Sequence, residues 1–126
     1  MHKVAFDNGG NMYRVMIAED EYMIALLYKR YIQKKGHEVI SIVHSGKEAT
    51  SKARELRPDI VFMDIAMDNN DDGIVACKTI KKENPNIKVY LVSAYPPDIF
   101  NLQLKELEYD GYWDKISFEK ELNKIF

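Results

Sequence analysis

DIVFMDIAMDNNDDG, Asp59 to Gly73, carries an apolar run, Ile60-Val61-Phe62-Met63, that ends on a carboxylate, Asp64, and then enters a crowd of Asp and Asn. A short apolar run of this length suits a strand buried on both faces. Such a strand does not ordinarily close on a charge. Asp64 is then the place where the core meets water, the edge of a calcium loop, or a chemical reagent.

The flanking sequence gives the run its setting. YRVMIA (13–18) reads as a first buried strand and runs into Glu19-Asp20-Glu21. Ile24, Leu27, Tyr28, Tyr31 and Ile32 then recur at helical spacing on one face, and Gly36 closes that helix after Lys34 and Lys35. EVISIV (38–43) is a β-branched second strand. Ser45 and Glu48 form a capping-box signature for a helix with Ala49, Ala53 and Leu56 on its apolar stripe and Pro58 beyond its end. After the 59–64 strand a helix is expected from about Gly73, with Ala76, Cys77 and Ile80 on the same face, ending near Asn84-Pro85. KVYLVS (88–93) is a fourth strand, and Pro96-Pro97 precede a helix expected around 98–108 whose apolar positions define no clean face. GYWDK (111–115) is a short fifth strand, and Ser117 opens a last helix with Phe118, Leu122 and Ile125 inward. The first eleven residues end in a Gly-Gly turn signal, with Met12 next, and are set apart as an extension (1–11) from a single domain spanning 12–126.

Composition narrows the function. A chain of 126 residues is one domain, and a net charge of -2 gives no concentrated Lys/Arg footprint for nucleic acid or acidic membranes. No apolar run is long enough to span a bilayer. One cysteine, Cys77, excludes an internal disulfide framework and fits a reducing cytoplasm. His2, His37 and His44 have no zinc-ligand spacing and read as structural or solvent-facing.

Strands alternating with helices through short loops argue for an α/β fold: a doubly wound, five-stranded parallel sheet in the order 2-1-3-4-5 with helices on both faces. In such a sheet ligands sit beyond the carboxyl ends of the strands. Those ends deliver Glu19 and Asp20, Asp64, Ser93 and Lys115. Carboxylates about 5 Å apart repel by roughly 3 kcal/mol per pair at an effective dielectric of about 20. A hard divalent cation, magnesium, is the fitting counter-charge.

These residues in this order, with Met67 three positions after Asp64 and Ala94 after Ser93, resemble the receiver domain of bacterial two-component response regulators over nearly all of 12–126. The resemblance implies the flavodoxin-like receiver fold and a phosphorelay switch, a signalling domain that catalyses only its own phosphorylation and dephosphorylation. Asp64 would accept a phosphoryl group from a phosphohistidine on a sensor histidine kinase or histidine phosphotransfer protein. Glu19, Asp20, Asp64 and the backbone carbonyl of Ala66 would hold Mg2+, and Lys115 and Ser93 would bind phosphoryl oxygens. Ser93 and Tyr112 would be the switch pair that changes the α4-β5-α5 surface, and Ala66 and Tyr95 would tune hydrolysis. Partners would include a downstream output domain or protein, with room for a phosphorylation-dependent dimer.

The pattern departs from the family in places. Asp68 and Ile116 stand where prolines are usual, and Gly73 lies nine residues after Asp64 rather than eight. The chain stops at Phe126 after a short last helix, which leaves a stand-alone receiver and a piece of a longer regulator both open, the short helix favouring the piece. Three rivals stand beside the switch. Asp68 to Gly73 matches the first half of a calcium EF-hand loop, but its twelfth position is Thr79 and a strand precedes it. A dehalogenase-like phosphatase needs a second Asp two residues after the first, where Ala66 stands. A receiver-like interaction module that is never phosphorylated is supported by the altered loop alone.

Overall fold

The computed structural model describes residues 12–68 and 72–126. The Gly-Gly signal of the extension, His2 and the middle of the acidic loop lie outside the described residues. Strands β1 (Arg14–Ala18), β2 (Glu38–Val43), β3 (Ile60–Asp64), β4 (Lys88–Ser93) and β5 (Gly111–Asp114) form one parallel sheet in the order β2-β1-β3-β4-β5. Helices α1 (Tyr22–Lys34), α2 (Gly46–Leu56), α3 (Asp72–Glu83), α4 (Asn101–Leu104) and α5 (Phe118–Ile125) supply the crossovers and the closing helix. The expected doubly wound topology is the observed one.

The period of two along each strand divides the core. Val15 and Ile17 of β1, with Ile60 and Phe62 of β3, face α1 and α5, where Tyr28, Ile32, Phe118 and Leu122 pack. Met16, Ala18, Val61 and Met63 face the opposite layer, with Ala49, Ala53, Cys77 and Ile80 of α2 and α3. Both faces are covered, which is why β3 is buried along its whole length, Asp64 included.

Local signals behave largely as their chemistry requires. Gly36 takes φ 86° just past α1, a left-handed position that suits glycine. The Ser45 hydroxyl accepts the Glu48 N–H (3.1 Å), but the Glu48 carboxylate accepts from His44 N–H (3.0 Å), so the reciprocal half of the capping box is displaced by one residue. At the other end of α2 the Arg14 guanidinium donates to the carbonyls of Leu56 and Arg57, each at 2.8 Å, satisfying groups that the helix end leaves open. Among the described residues no helix is long and apolar enough to cross a membrane.

Three expectations are corrected. On α1, Ile24, Tyr28, Tyr31 and Ile32 face the core as expected and Ala25 joins them, whereas Leu27 is exposed. Lys115 is not in β5; it opens a 3₁₀ turn, Lys115–Ser117, that swings its side chain over the strand ends. The helix expected over 98–108 is a 3₁₀ turn, Pro97–Phe100, followed by the single turn of α4. Pro96 in extended backbone and Pro97 at the start of the turn set its geometry and Phe100 is buried; of α4 only Leu104 packs, partly buried, against the core, and Leu102 is 89% exposed.

His37 is structural, as expected. It is buried against Phe126 (ring centroids 4.0 Å apart) and accepts the Tyr13 N–H at Nδ1 (3.1 Å), which requires a neutral ring. Burial holds its pKa below the usual 6.5. The folded protein therefore binds this proton less tightly than the unfolded chain. The associated stability is complete above pH 6.5 and is lost as the pH falls through the folded-state value. Urea unfolding at stepped pH should show a loss of stability below pH 6.5 that is reduced in His37→Gln, a variant that cannot gain the proton.

Candidate functional site

At the carboxyl edge of the sheet the chain leaves β1 and β3 on neighbouring strands, with Ala18 in register with Met63. Glu19 and Asp64 are therefore delivered side by side. Glu19, Asp20 and Asp64 offer oxygens that lie within 4.8 Å of one another. Glu19 and Asp64 are 1% and 3% exposed, while Asp20 faces solvent. Lys115 reaches over from the end of β5 and places Nζ 3.0 Å from Glu19 Oε1 and 3.2 Å from Asp64 Oδ2.

The remaining carboxylate oxygens are held by backbone. Glu19 Oε2 accepts the Glu21 N–H at 2.9 Å, and Asp64 Oδ1 accepts the Ala66 N–H at 3.3 Å. Glu19 Oε1 is buried, with the Lys115 ammonium 3.0 Å away as its ion-pair partner. Burial pushes Glu19 up to about 7, with Asp64 adding to the rise and the Glu21 N–H and Lys115 opposing it. Burial also raises Asp64, against the pull of Lys115. The ammonium's own burial disfavours its charge, yet Asp64 and Glu19 outweigh that and hold it above the ordinary lysine value. One ammonium thus faces more negative charge than it can neutralise. Three carboxylates with oxygens within 4.8 Å of one another, set against one ammonium, form a hard-oxygen ligand set that fits a divalent cation such as Mg2+.

Ser93, Tyr95 and Tyr112 form a second group. Ser93 is buried at the end of β4, and its Oγ accepts the Tyr95 N–H at 2.9 Å. The Tyr112 hydroxyl donates to the Tyr95 carbonyl at 2.7 Å. Burial pushes the Tyr112 phenol up, against the Ser93 hydroxyl, which holds it down. Ser93 and Tyr112 are therefore joined through the backbone of one residue, Tyr95. Tyr95 and Ala66 line a cavity of about 350 Å³ with Ile99, Phe100 and Gln103, beside the Asp64 loop.

Two contacts that the sequence did not signal hold this loop. Gly73 passes so close to Asp64 that an added Cβ would lie 2.1 Å from the Asp64 carbonyl oxygen, and its N–H donates to the Ile65 carbonyl at 2.8 Å. Asp72 accepts the Gly46 N–H at 2.9 Å, tying the start of α3 to the start of α2. A glycine at the first position of α2 was the available hint: a Cβ there would meet Asp72 Oδ1 at 2.6 Å. His44 completes the frame with Nδ1 3.0 Å from the Glu19 carbonyl oxygen.

Comparison with known proteins places the chain in a family and a fold. The family model for the response regulator receiver domain matches residues 15–126. Chemotaxis protein CheY of Thermotoga maritima is 43% identical over 81 residues, 64% of this chain and 67% of that protein. Response regulator protein VraR is 36% identical over 86 residues in Staphylococcus saprophyticus and 33% identical over 110 residues in Staphylococcus aureus. Those matches take in 68% and 86% of this chain but 41% and 52% of the relatives, so the chain spans about half their length or less. Among solved structures, a LuxR-family two-component response regulator from Aurantimonas has TM-score 0.80 at 27% identity, covering 90% of this chain and 81% of its own. The response regulator domain of Thermotoga maritima CheB has TM-score 0.78 at 26% identity, covering 91% and 94%.

The close approach of Gly73 should show in stability. Gly73→Ala is expected to cost about 3 kcal/mol, because backbone rather than a movable side chain blocks the methyl group. Gly36→Ala, where the left-handed φ is strained but no atom lies within 4 Å, should cost only about 1 kcal/mol. Urea unfolding of the two variants checks the ranking, and equal losses would contradict it.

Proposed function

The chain belongs to the response regulator receiver domain family, a signalling domain of two-component systems, and from that premise we propose that it is a phosphorylation-dependent switch with Asp64 as acceptor. We assign the switch to residues 12–126 and treat 1–11 as an extension outside it. The observation that carries the proposal is the pairing of buried Glu19 and Asp64 around the single ammonium of Lys115, with Asp20 alongside.

The chemistry follows from the charges. An Asp64 carboxylate oxygen attacks the phosphorus of a phosphohistidine on a histidine kinase or phosphotransfer protein. The new O–P bond forms as the P–N bond breaks, and the imidazole nitrogen keeps the electron pair. Lys115, already between Glu19 and Asp64, follows the developing negative charge onto the phosphoryl oxygens. Glu19, Asp20, Asp64 and the Ala66 carbonyl would hold Mg2+, which when bound neutralises charge on the transferring group. Hydrolysis of the acyl phosphate by water returns the carboxylate and inorganic phosphate.

Output runs through Ser93. Its hydroxyl supports Tyr95, whose carbonyl in turn accepts from Tyr112. Drawing Ser93 toward a phosphoryl oxygen removes the acceptor from the Tyr95 N–H and loosens the backbone that Tyr112 grips. The change passes to the surface formed by α4, β5 and α5, which a downstream domain or protein reads. The single-turn α4, with no buried residue of its own, offers little packing to resist it. Ala66 has no polar side chain with which to orient an attacking water, which supports a moderately long-lived phosphoryl group.

Incubation with Mg2+ and acetyl phosphate, followed by intact mass measurement, should add one phosphoryl group to the wild type and none to Asp64→Ala. Lys115→Ala should be phosphorylated about a hundredfold more slowly. Absence of the adduct in the wild type would favour an unphosphorylated interaction module, and a phosphoryl lifetime of a few seconds with Mg2+ present would contradict the role given to Ala66.

A further inference from the structure

The turn between β2 and α2, Val43 to Gly46, fastens both loops that carry the acidic cluster. On one side the Glu19 N–H donates to the Val43 carbonyl at 2.9 Å, extending the ladder in which Ala18 is in register with Val43. On the other the Gly46 N–H donates to Asp72 at 2.9 Å, and Gly73, the next residue, lies against the Asp64 backbone. His44 stands between these two attachments.

β2 ends at Val43, and the donor that meets the Glu19 carbonyl is a side chain, His44 Nδ1 at 3.0 Å. A carbonyl oxygen only accepts, so Nδ1 carries the proton in this contact. That carbonyl belongs to the peptide joining Glu19 to Asp20, and two members of the acidic cluster branch from the two ends of that peptide. The His44 backbone is itself held, because its N–H donates to Glu48 Oε1 at 3.0 Å. The displaced half of the α2 cap thus braces the residue that grips the Glu19–Asp20 peptide. His44 is exposed, so its hold on Glu19 is not a by-product of core packing.

We propose that His44 is a positioning residue for the acidic site: its Nδ1–H fixes the Glu19–Asp20 peptide and so sets the directions in which the two carboxylates leave the backbone to meet Asp64 and a cation. Lys115 acts differently, on the carboxylate oxygens of Glu19 and Asp64 themselves. The peptide governs Asp20 as well, the exposed member of the cluster. Contacts of this kind, one step removed from the metal, keep ligands oriented and are costly to lose. The inference rests on the reading of the acidic cluster as a cation site, and concerns what holds two of its ligands.

His44→Ala and His44→Asn isolate this role. Alanine removes the donor, whereas asparagine places an amide N–H close to where the imidazole carries its Nδ1–H. Calorimetric titration with Mg2+ should show about tenfold weaker binding in His44→Ala and near-wild-type binding in His44→Asn. Urea unfolding without the metal, run on the same variants, separates positioning from stability. A contact that only stabilises the turn would lower the unfolding midpoint of His44→Ala and leave its Mg2+ affinity at the wild-type value, which would overturn this inference alone. An equal loss of affinity in the two variants would do the same. No Mg2+ binding by the wild type would overturn both this inference and the reading of the acidic cluster as a metal site.

Discussion

Burying two carboxylates at the end of a parallel sheet is costly, and the ammonium of Lys115 is what makes it tolerable. Glu19 and Asp64 are almost wholly removed from water, and each lies about one hydrogen-bond length from Nζ. A buried ion pair seldom gains much net stability, because desolvation offsets the attraction, but its failure is expensive. The three-way contact therefore fixes where β1, β3 and β5 end relative to one another. It also leaves an imbalance, two buried carboxylates and a nearby exposed one against one ammonium, and that imbalance is what the proposed cation and phosphoryl chemistry would draw on.

The loop after β3 must deliver Asp64 and then turn at once into α3. Gly73 and Asp72 accomplish this by contact rather than by turn chemistry: the first lets the helix start lie on the Asp64 backbone, the second hooks α3 to α2. The loop contains one residue more than the family pattern, yet Gly73 still lies against the Asp64 backbone.

Rigidity is distributed unevenly, and in a way that suits a switch. The side of the sheet under α1 and α5 is knit by an aromatic cluster of Phe62, Tyr90, Trp113, Phe118 and Tyr28. The region after β4 has a 3₁₀ turn, a one-turn helix and several exposed apolar side chains. Ser93 and Tyr112 meet at the border of these regions through the backbone of Tyr95. A change in the hydroxyl's bonding is resisted on one side and accommodated on the other.

Strand and helix identity, the strand order and the delivery of acidic, hydroxyl and amine groups to one edge were all readable from the sequence, because each depends on residues near one another in the chain or on the handedness of crossovers. The exposure of Leu27 on α1 and the shortness of α4 were not. Leu27 lies at the edge of the inward face while Ala25 is wholly buried, and after β4 a 3₁₀ turn from Pro97 to Phe100 takes the place of the first turn of a regular helix. The site was legible as a set of residues but not as a geometry. That Lys115 bridges Glu19 and Asp64 and that Gly73 touches Asp64 both depend on distances across the sheet, which only packing of remote segments decides.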